Sequence, residues 1–270
     1  MAYSLAHGDS ASVSGAVIVR VLDDAVKANV ENVNLTGTSL TVSANDYTIM
    51  NTIAGQFSPG NVGVGGNAII VIGNTDTQAT LVNGTQTLTG ALNVLSNTRK
   101  DSRTVMVGGS GSGAVAENGA AYVDVINDKT KSSIIGSTAT ADNVLVDAIQ
   151  KNTSLGVDLS VAGSGTASVG GILYLNLFND TTNVIIGDNS LSRTTVTANN
   201  NIIVNSDSDY EMREYLVSVG ASGTVASVAG AGVGVVNFAG VINSLEETVK
   251  AEASNVTVTN GSLKTDENQI

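Results

Sequence analysis

Apolar and polar residues alternate in a segment that recurs four times along the chain. Each copy starts with a glycine, continues as a strand-like alternation and ends in Asn, Asp or Thr, at residues 15–24, 66–75, 119–128 and 171–180. The starting glycines are 51, 53 and 52 residues apart. Alternation with a period of two is typical of half-buried β-strands, and a constant spacing is typical of stacked repeats. The pattern therefore predicts that equivalent strands of successive copies lie side by side.

The alternation also divides each strand into two faces. One face is apolar in all four copies and begins with Val17, Val19 and Val21. The opposite face is mixed, and it carries Tyr122 and Tyr174 at equivalent positions of the third and fourth copies. We expect the apolar face to be buried. Tyr122 and Tyr174 are then expected to pack against each other across the strands, with an exposed aromatic ladder for a sugar or protein partner as the alternative.

Two other segments complete the repeat. A short strand of Leu/Val-x-Val type follows, as at 40–44 and 144–148, and a glycine-rich passage leads into the next copy, as at 107–113. No helical spacing separates the strands, which argues against βαβ units. We therefore predict an all-β fold, a right-handed parallel β-helix (β-solenoid) that forms one domain over residues 1–270 and belongs to a longer protein.

The length of the repeat sets the expected number of coils. A repeat of about 50 residues exceeds the roughly 20–25 residues of a typical coil, so we predict two coils per repeat. The chain would then hold about 10–12 coils in a rod about 50 Å long. Turns and hydrogen-bonded ladders are expected where Asn or Asp ends a strand, at Asp23, Asn74, Asn127, Asn179 and Asn243.

Residues 205–216 interrupt the pattern with polar side chains, and we predict an inserted polar loop there. Asp207, Asp209 and Glu211 alternate along it, and Glu214 follows. Carboxylate oxygens are preferred ligands of Ca²⁺, so the first three of these residues are a candidate calcium site. A solvated acidic loop is the favoured interpretation, because no glycine lies among them. No other metal site and no cofactor is indicated.

Composition narrows the class of protein. Aromatic residues are only 3% of the chain and Trp is absent, so thin layers filled by small β-branched side chains are favoured over a compact globular core. A net charge of -12 argues against nucleic acid and anionic membranes as partners. No apolar run reaches about 18 residues, so we expect no membrane insertion by this chain.

Catalytic motifs are not evident in the sequence. His7 is the only histidine, which excludes a metal site built from several histidines of one chain. The charged residues expected on outer faces are not clustered as an acid–base pair would be. They are Arg20, Asp124, Lys131, Asp147 and Asp158. We therefore predict that the protein is not an enzyme; a polysaccharide-active β-helix enzyme and an ice-binding solenoid are the alternatives.

The order of the segments resembles that of a family of bacterial surface proteins. Gly-Ser-Gly, an alternating strand, an Asn-Asp pair and a segment rich in Thr or Ser follow one another at 111–134 and again at 163–187. This order resembles the filamentous adhesins of the leukotoxin type, relatives of the haemagglutinin-like passengers of type V secretion systems. The resemblance covers most of the chain and is weakest in residues 1–13 and around 205–216.

The resemblance implies a secreted protein at the surface of bacteria that have an outer membrane. In this family the solenoid serves attachment or aggregation, and in leukotoxin itself it damages white blood cells. The expected partner is a protein or glycan on a host or bacterial cell, together with end-to-end or side-by-side self-association. We therefore expect a structural and adhesive segment or rigid stalk of a surface filament, with a toxin-type passenger as the alternative.

Overall fold

The computed structural model describes residues 1–187, 194–222, 234–254 and 256–269. Every regular element in these ranges is a β-strand, which confirms the predicted all-β class. Within the same ranges there is no helix with the length and hydropathy needed to cross a membrane. The strands are β1 (Ala2–Leu5), β2 (Gly8–Glu31), β3 (Leu35–Gly37), β4 (Leu40–Val82), β5 (Thr85–Leu88), β6 (Ala91–Ile135), β7 (Thr138–Ala141), β8 (Asn143–Ser164), β9 (Ala167–Ile186), β10 (Thr195–Ala198), β11 (Ile202–Ser222), β12 (Gly234–Ala253), β13 (Val256–Val258) and β14 (Leu263–Gln269).

Each long strand is hydrogen-bonded in parallel to the strand one repeat further along the chain. Leu40 is paired with Leu92, and Leu92 is paired with Val144, so the partners lie a whole repeat apart. The prediction of two coils per repeat is therefore wrong, because one repeat supplies one layer. Five layers and part of a sixth are described, which at about 4.8 Å per layer gives a stack about 24 Å thick rather than about 50 Å.

Each layer consists of three parts, which we name from the third layer. The outgoing arm (91–112) and the return arm (115–135) are the two halves of β6, and the closing strand is β7. The arms face each other, since the Ser96 and Ser132 hydroxyls share a hydrogen bond of 2.8 Å. Equivalent arms of all layers form a nine-stranded sheet, and the closing strands β3, β5, β7, β10 and β13 form a five-stranded sheet.

Turns between the return arm and the closing strand place a residue of positive φ at one equivalent position in three layers and one residue earlier in the fourth. Asn32 and Asn83 have φ values of 56° and 52°, and Gly136 and Gly187 have φ values of 63° and 99°. Asn and Gly are the residues that tolerate this left-handed conformation. The turns were predicted elsewhere, at Asp23, Asn74, Asn127 and Asn179, and that prediction is wrong because these four residues lie inside strands.

The predicted asparagine ladder is nevertheless present for one pair inside the strands. Asn74 and Asn127 are register partners, and Nδ2 of Asn127 donates to Oδ1 of Asn74 at 3.1 Å. Parallel, in-register pairing places identical amides one above the other, which makes this bond available without any turn. The side chain of Asn243 lies outside the described residues.

Residues 205–216 do not form the predicted loop. They belong to β11, which pairs with β8 without interruption from Ile202↔Val144 to Ser222↔Ser164. Ser206 and Ser208 point inward and are fully buried, while Asp207 and Asp209 alternate with them on the outer side. The period of two therefore continues through this polar segment, because the interior accepts small hydroxyl side chains.

The extra residues of the later repeats lie between strands. The register step between paired residues rises to 58 residues at Val144↔Ile202 and to 67 at Ala167↔Gly234. The added lengths fall at 187–194 and 223–233, most of which lies outside the described residues. Additions at these positions leave the alternation within each arm intact, whereas one residue added inside an arm would exchange its two faces.

The predicted assignment of the two faces is inverted. Val17, Val19 and Val21 are 67%, 61% and 65% exposed, whereas Tyr122 and Tyr174 are only 2% and 1% exposed. The two tyrosine rings are register partners with centroids 4.9 Å apart. They form a buried packing pair, which confirms the expected cross-strand packing; the alternative, an exposed aromatic ladder, is wrong.

Two apolar clusters fill the interior between the arms. The first lies beside the closing strands and includes Leu81, Leu88, Leu92 and Ile134. The second lies further from the closing strands and includes Met50, Ile69, Met106, Tyr122 and Tyr174. Polar pairs such as Thr98 and Thr130, joined by a hydrogen bond of 2.7 Å, separate the two clusters.

Replacing Gly156 by Ala is expected to destabilise the fold, because the new Cβ would lie 2.5 Å from Cε1 of the buried Tyr174 ring. Overpacking of this kind lowers the free energy of unfolding by about 1–3 kcal/mol. Gly119→Ala is the matched control, since its Cβ meets nothing within 4 Å. Urea denaturation of the two variants checks this, and equal midpoints would contradict the buried position of Tyr174.

Candidate binding surface

Charged side chains lie both inside the layers and on their outer sides, and only the outer ones can meet a partner. Inside, Lys100 from an outgoing arm forms an ion pair with Asp128 from the facing return arm. The backbone N–H of Asp128 donates to Oδ1 of Asp180 at 2.8 Å, and Asn152 Nδ2 donates to Oδ2 of Asp180 at 2.9 Å. The side chains of Lys100 and Asp128 are 3% and 0% exposed, so this network is sealed from solvent.

Burial governs the protonation of the carboxyl groups in the interior. It raises the pKa of Asp180 to about 8, with a further contribution from the charge of Asp128. It raises the pKa of Asp158 to about 7, and neither carboxylate oxygen of Asp158 has a hydrogen-bond partner among the described residues. Burial likewise raises the pKa of Asp124 to about 6. These groups are acids held in a poorly hydrated space, and they have no access to a substrate.

The charged residues that the sequence analysis weighed for catalysis are not brought together. Asp124 and Asp158 are fully buried between the arms, whereas Asp147 and Lys131 are only half-buried. Arg20 lies in the first described layer, in register with Val71 of the second. The structure therefore provides no acid–base pair among these five residues on one surface.

The outer side of the outgoing arms carries a column that combines an aromatic ring with charges of both signs. Tyr47, Arg99, Lys151 and Asp209 are successive register partners in four layers. The Arg99 guanidinium carbon lies 5.2 Å from the Tyr47 ring centroid, within the range of a cation–π interaction. Lys151 Nζ donates to Oδ2 of Asp209 at 2.5 Å, and this bond raises the pKa of Lys151.

The neighbouring columns extend this set of charges. Tyr47 Oη donates to Oδ2 of Asp101 at 3.0 Å, and Arg99 Nη2 lies 3.3 Å from the same oxygen. Arg213 forms an ion pair with Glu211 on the same strand. We call this surface the charged band. It consists of Tyr47, Arg99, Asp101, Arg103, Lys151, Asp209, Glu211 and Arg213, most of which line one shallow depression.

The charged band can bind polar groups without any chemical step. Guanidinium groups hold carboxylates and other oxyanions through two parallel hydrogen bonds, and an aromatic ring offers an apolar face with a polar edge. The side chains of Arg99 and Arg213 are 49% and 63% exposed. The arrangement therefore suits recognition of an extended polar or acidic ligand that lies across several layers.

The structure does not assemble the candidate calcium site. Asp207, Asp209 and Glu211 point outward at every second residue of β11, so their Cα atoms are spaced by about 6.7 Å along the strand. Asp209 and Glu211 are each paired with a cation, Lys151 and Arg213. No cluster of three or more acidic or histidine side chains that could hold a metal ion occurs in the described ranges.

Sequence reasoning missed most of the charged band. Its members are 52 or 58 residues apart along the chain, and the register that joins them follows only from the strand pairing. A register step of one whole repeat, applied to the sequence, would have aligned Tyr47 with Arg99 and Lys151. Comparisons with protein families, with curated proteins and with solved structures found no match. The function is therefore argued from the residues of this chain.

Replacing Lys100 by Met is expected to lower the free energy of unfolding by about 3–5 kcal/mol, because the Asp128 carboxylate would stay buried without its cation. Lys151→Met removes a cation of an exposed pair and is expected to change stability little. Urea denaturation of both variants checks this contrast. Equal losses would contradict the buried ion pair.

The stability of the protein is expected to fall between about pH 4 and pH 8. The folded state holds protons on Asp124, Asp158 and Asp180 with pKa values of about 6, 7 and 8, against an ordinary value of 3.8. The stability that these protons contribute is fully present below the unfolded pKa and is lost as the pH rises through the folded pKa values. Thermal unfolding across this pH range measures the fall. Asp158→Asn should flatten the curve between about pH 4 and pH 7, and a wild-type midpoint that does not change with pH would argue against the buried acids.

Proposed function

We propose that this chain is a structural and adhesive segment of a filament on a bacterial surface, built as a right-handed parallel β-helix with one coil per repeat. The observation that carries the proposal is the parallel pairing of each layer with the next at a nearly constant step of 52 residues. Such a stack lengthens by adding layers without any change in its cross-section. Length and stiffness are the properties that a stalk requires.

The resemblance to leukotoxin-type adhesins supports the same proposal. The segments that carry it lie in two neighbouring layers, at 111–134 and 163–187, and are register partners over most of their length. A repeat that stacks in this way suits the passenger of a type V secretion system at the outer surface of the cell. We accordingly place the protein outside the cell, secreted or held at the bacterial surface.

We assign the adhesive contact to the charged band. It presents three exposed arginines, Arg99, Arg103 and Arg213, and the 57% exposed ring of Tyr47 on one side of the stack. Its partner is a protein or glycan of a host or bacterial cell that offers acidic or hydroxyl groups. The proposed action is binding without catalysis, since the acids with raised pKa values are sealed between the arms.

Removing two of the three exposed arginines, by Arg99→Ala with Arg213→Ala, is expected to weaken binding to fixed cells and to a glycan array about tenfold or more. The matched control is Lys27→Ala with Lys131→Ala, which removes the same number of positive charges from the return arms. The control should bind as the wild type does.

Three outcomes of this assay are decisive. Selective loss in the arginine variant supports the assignment of the charged band. Equal binding by both variants would show that the contact lies elsewhere. No binding by the wild-type chain to cells or glycans would overturn the adhesive part of the proposal and leave the stalk.

A further inference from the structure

The outer side of the return arms forms an apolar surface, which we call the return face. It consists of every second residue of 11–21, 62–72, 115–125 and 167–177, which are register partners in four layers. All of these residues are Gly, Ala, Val, Ile or Leu except Glu117. None of these positions is buried. The chain therefore exposes a wide sheet face that carries a single charge.

The area of the return face matches what a stable interface requires. An outward position of a sheet occupies about 6.7 Å along the strand and about 4.8 Å between strands, so six positions in each of four layers cover roughly 750 Å². The largest apolar patch of a typical monomer measures about 300–600 Å². Specific protein–protein interfaces take about 800 Å² from each partner. The return face thus has the size of one side of a specific interface.

A column of glycines gives this face its relief. Gly15, Gly66, Gly119 and Gly171 are register partners, and together they form a groove that runs along the stacking direction. Two columns further toward the closing strands, Val19, Ile70, Val123 and Leu175 are register partners, and these larger side chains form a ridge that runs parallel to the groove. In a two-fold pair, the ridge of each copy can seat in the groove of the other.

Charge identifies the partner as a second copy of this chain. Two molecules with a net charge of -12 repel each other, and the repulsion is weakest where the facing surfaces carry least charge. The return face carries only Glu117, whereas the outer side of the outgoing arms combines the charged band with a narrower apolar strip around Ile53, Val107, Leu159 and Val217. A second copy also has the same spacing between layers, so its columns match those of the first along the whole face.

We propose that two copies of this chain associate side by side through their return faces. This inference rests on the stalk role proposed above. Lateral pairing would stiffen a filament, and it would leave the charged bands of both copies facing outward. Attachment and pairing then depend on opposite sides of the stack. Each can be lost while the other persists.

The test is sedimentation velocity of the full chain over a wide range of concentrations. The wild type is expected to form a dimer. Val123→Glu places a charge within the return face, and Gly119→Leu fills the groove at a position where a Cβ meets nothing within 4 Å. Both variants are expected to raise the dimer Kd about tenfold or more. Val157→Glu, the same change at an exposed valine of an outgoing arm, is the matched control and should leave the dimer intact.

Urea midpoints of the variants show whether each is folded, and Gly119→Leu serves the test alone if Val123→Glu does not fold. A monomer at every concentration would overturn the proposal, as would equal disruption by Val157→Glu. Binding of the monomer to phosphatidylcholine vesicles would replace the second copy by a lipid surface. Attachment to cells is measured on the same variants. A wild-type chain that forms the dimer but does not attach to cells would count against the proposed adhesion and not against pairing.

Discussion

Backbone hydrogen bonding between residues one repeat apart is the constraint on which the rest of this structure depends. It stacks equivalent side chains, so Tyr122 lies on Tyr174 and Asn74 on Asn127. It also restricts where the chain can lengthen, since one residue added within an arm would exchange the inner and outer faces. The longer later repeats accordingly take their extra residues at 187–194 and 223–233, between strands whose register is preserved.

The facing of the two arms explains an interior that is unusually polar. Inward side chains of the two arms meet at several positions, where Ser96 pairs with Ser132, Thr98 with Thr130 and Lys100 with Asp128. Buried polar groups are tolerated where they find such partners, and they are costly where they do not. The acids without a full set of partners respond by keeping their protons, as the raised pKa of Asp158 shows.

A polar interior has a consequence for the outside of the molecule. With hydroxyls, amides and the tyrosine pair turned inward, the valines and leucines that alternate with them are turned outward on the return arms. The outer side of the outgoing arms instead carries arginines, lysines and acids at successive layers in its first half, followed by a narrower apolar strip that includes Val107 and Leu159. The two sides of the stack therefore differ in chemistry, and they suit different contacts: an ionic one with a foreign surface and an apolar one between copies.

The sequence by itself determined the strand content, the repeat and the columns of equivalent residues, because alternation and spacing are local properties that survive in any parallel stack. Only the tertiary structure decided which face is inside, how many residues make a layer and that 205–216 is a strand. A period of two is identical for either face, and in the second copy both faces are apolar around Ile69 and Ile70. The position of the charged band follows from the same choice of inner face. Because the arms pack with the alternate residues between them, the side chains of the charged band point outward.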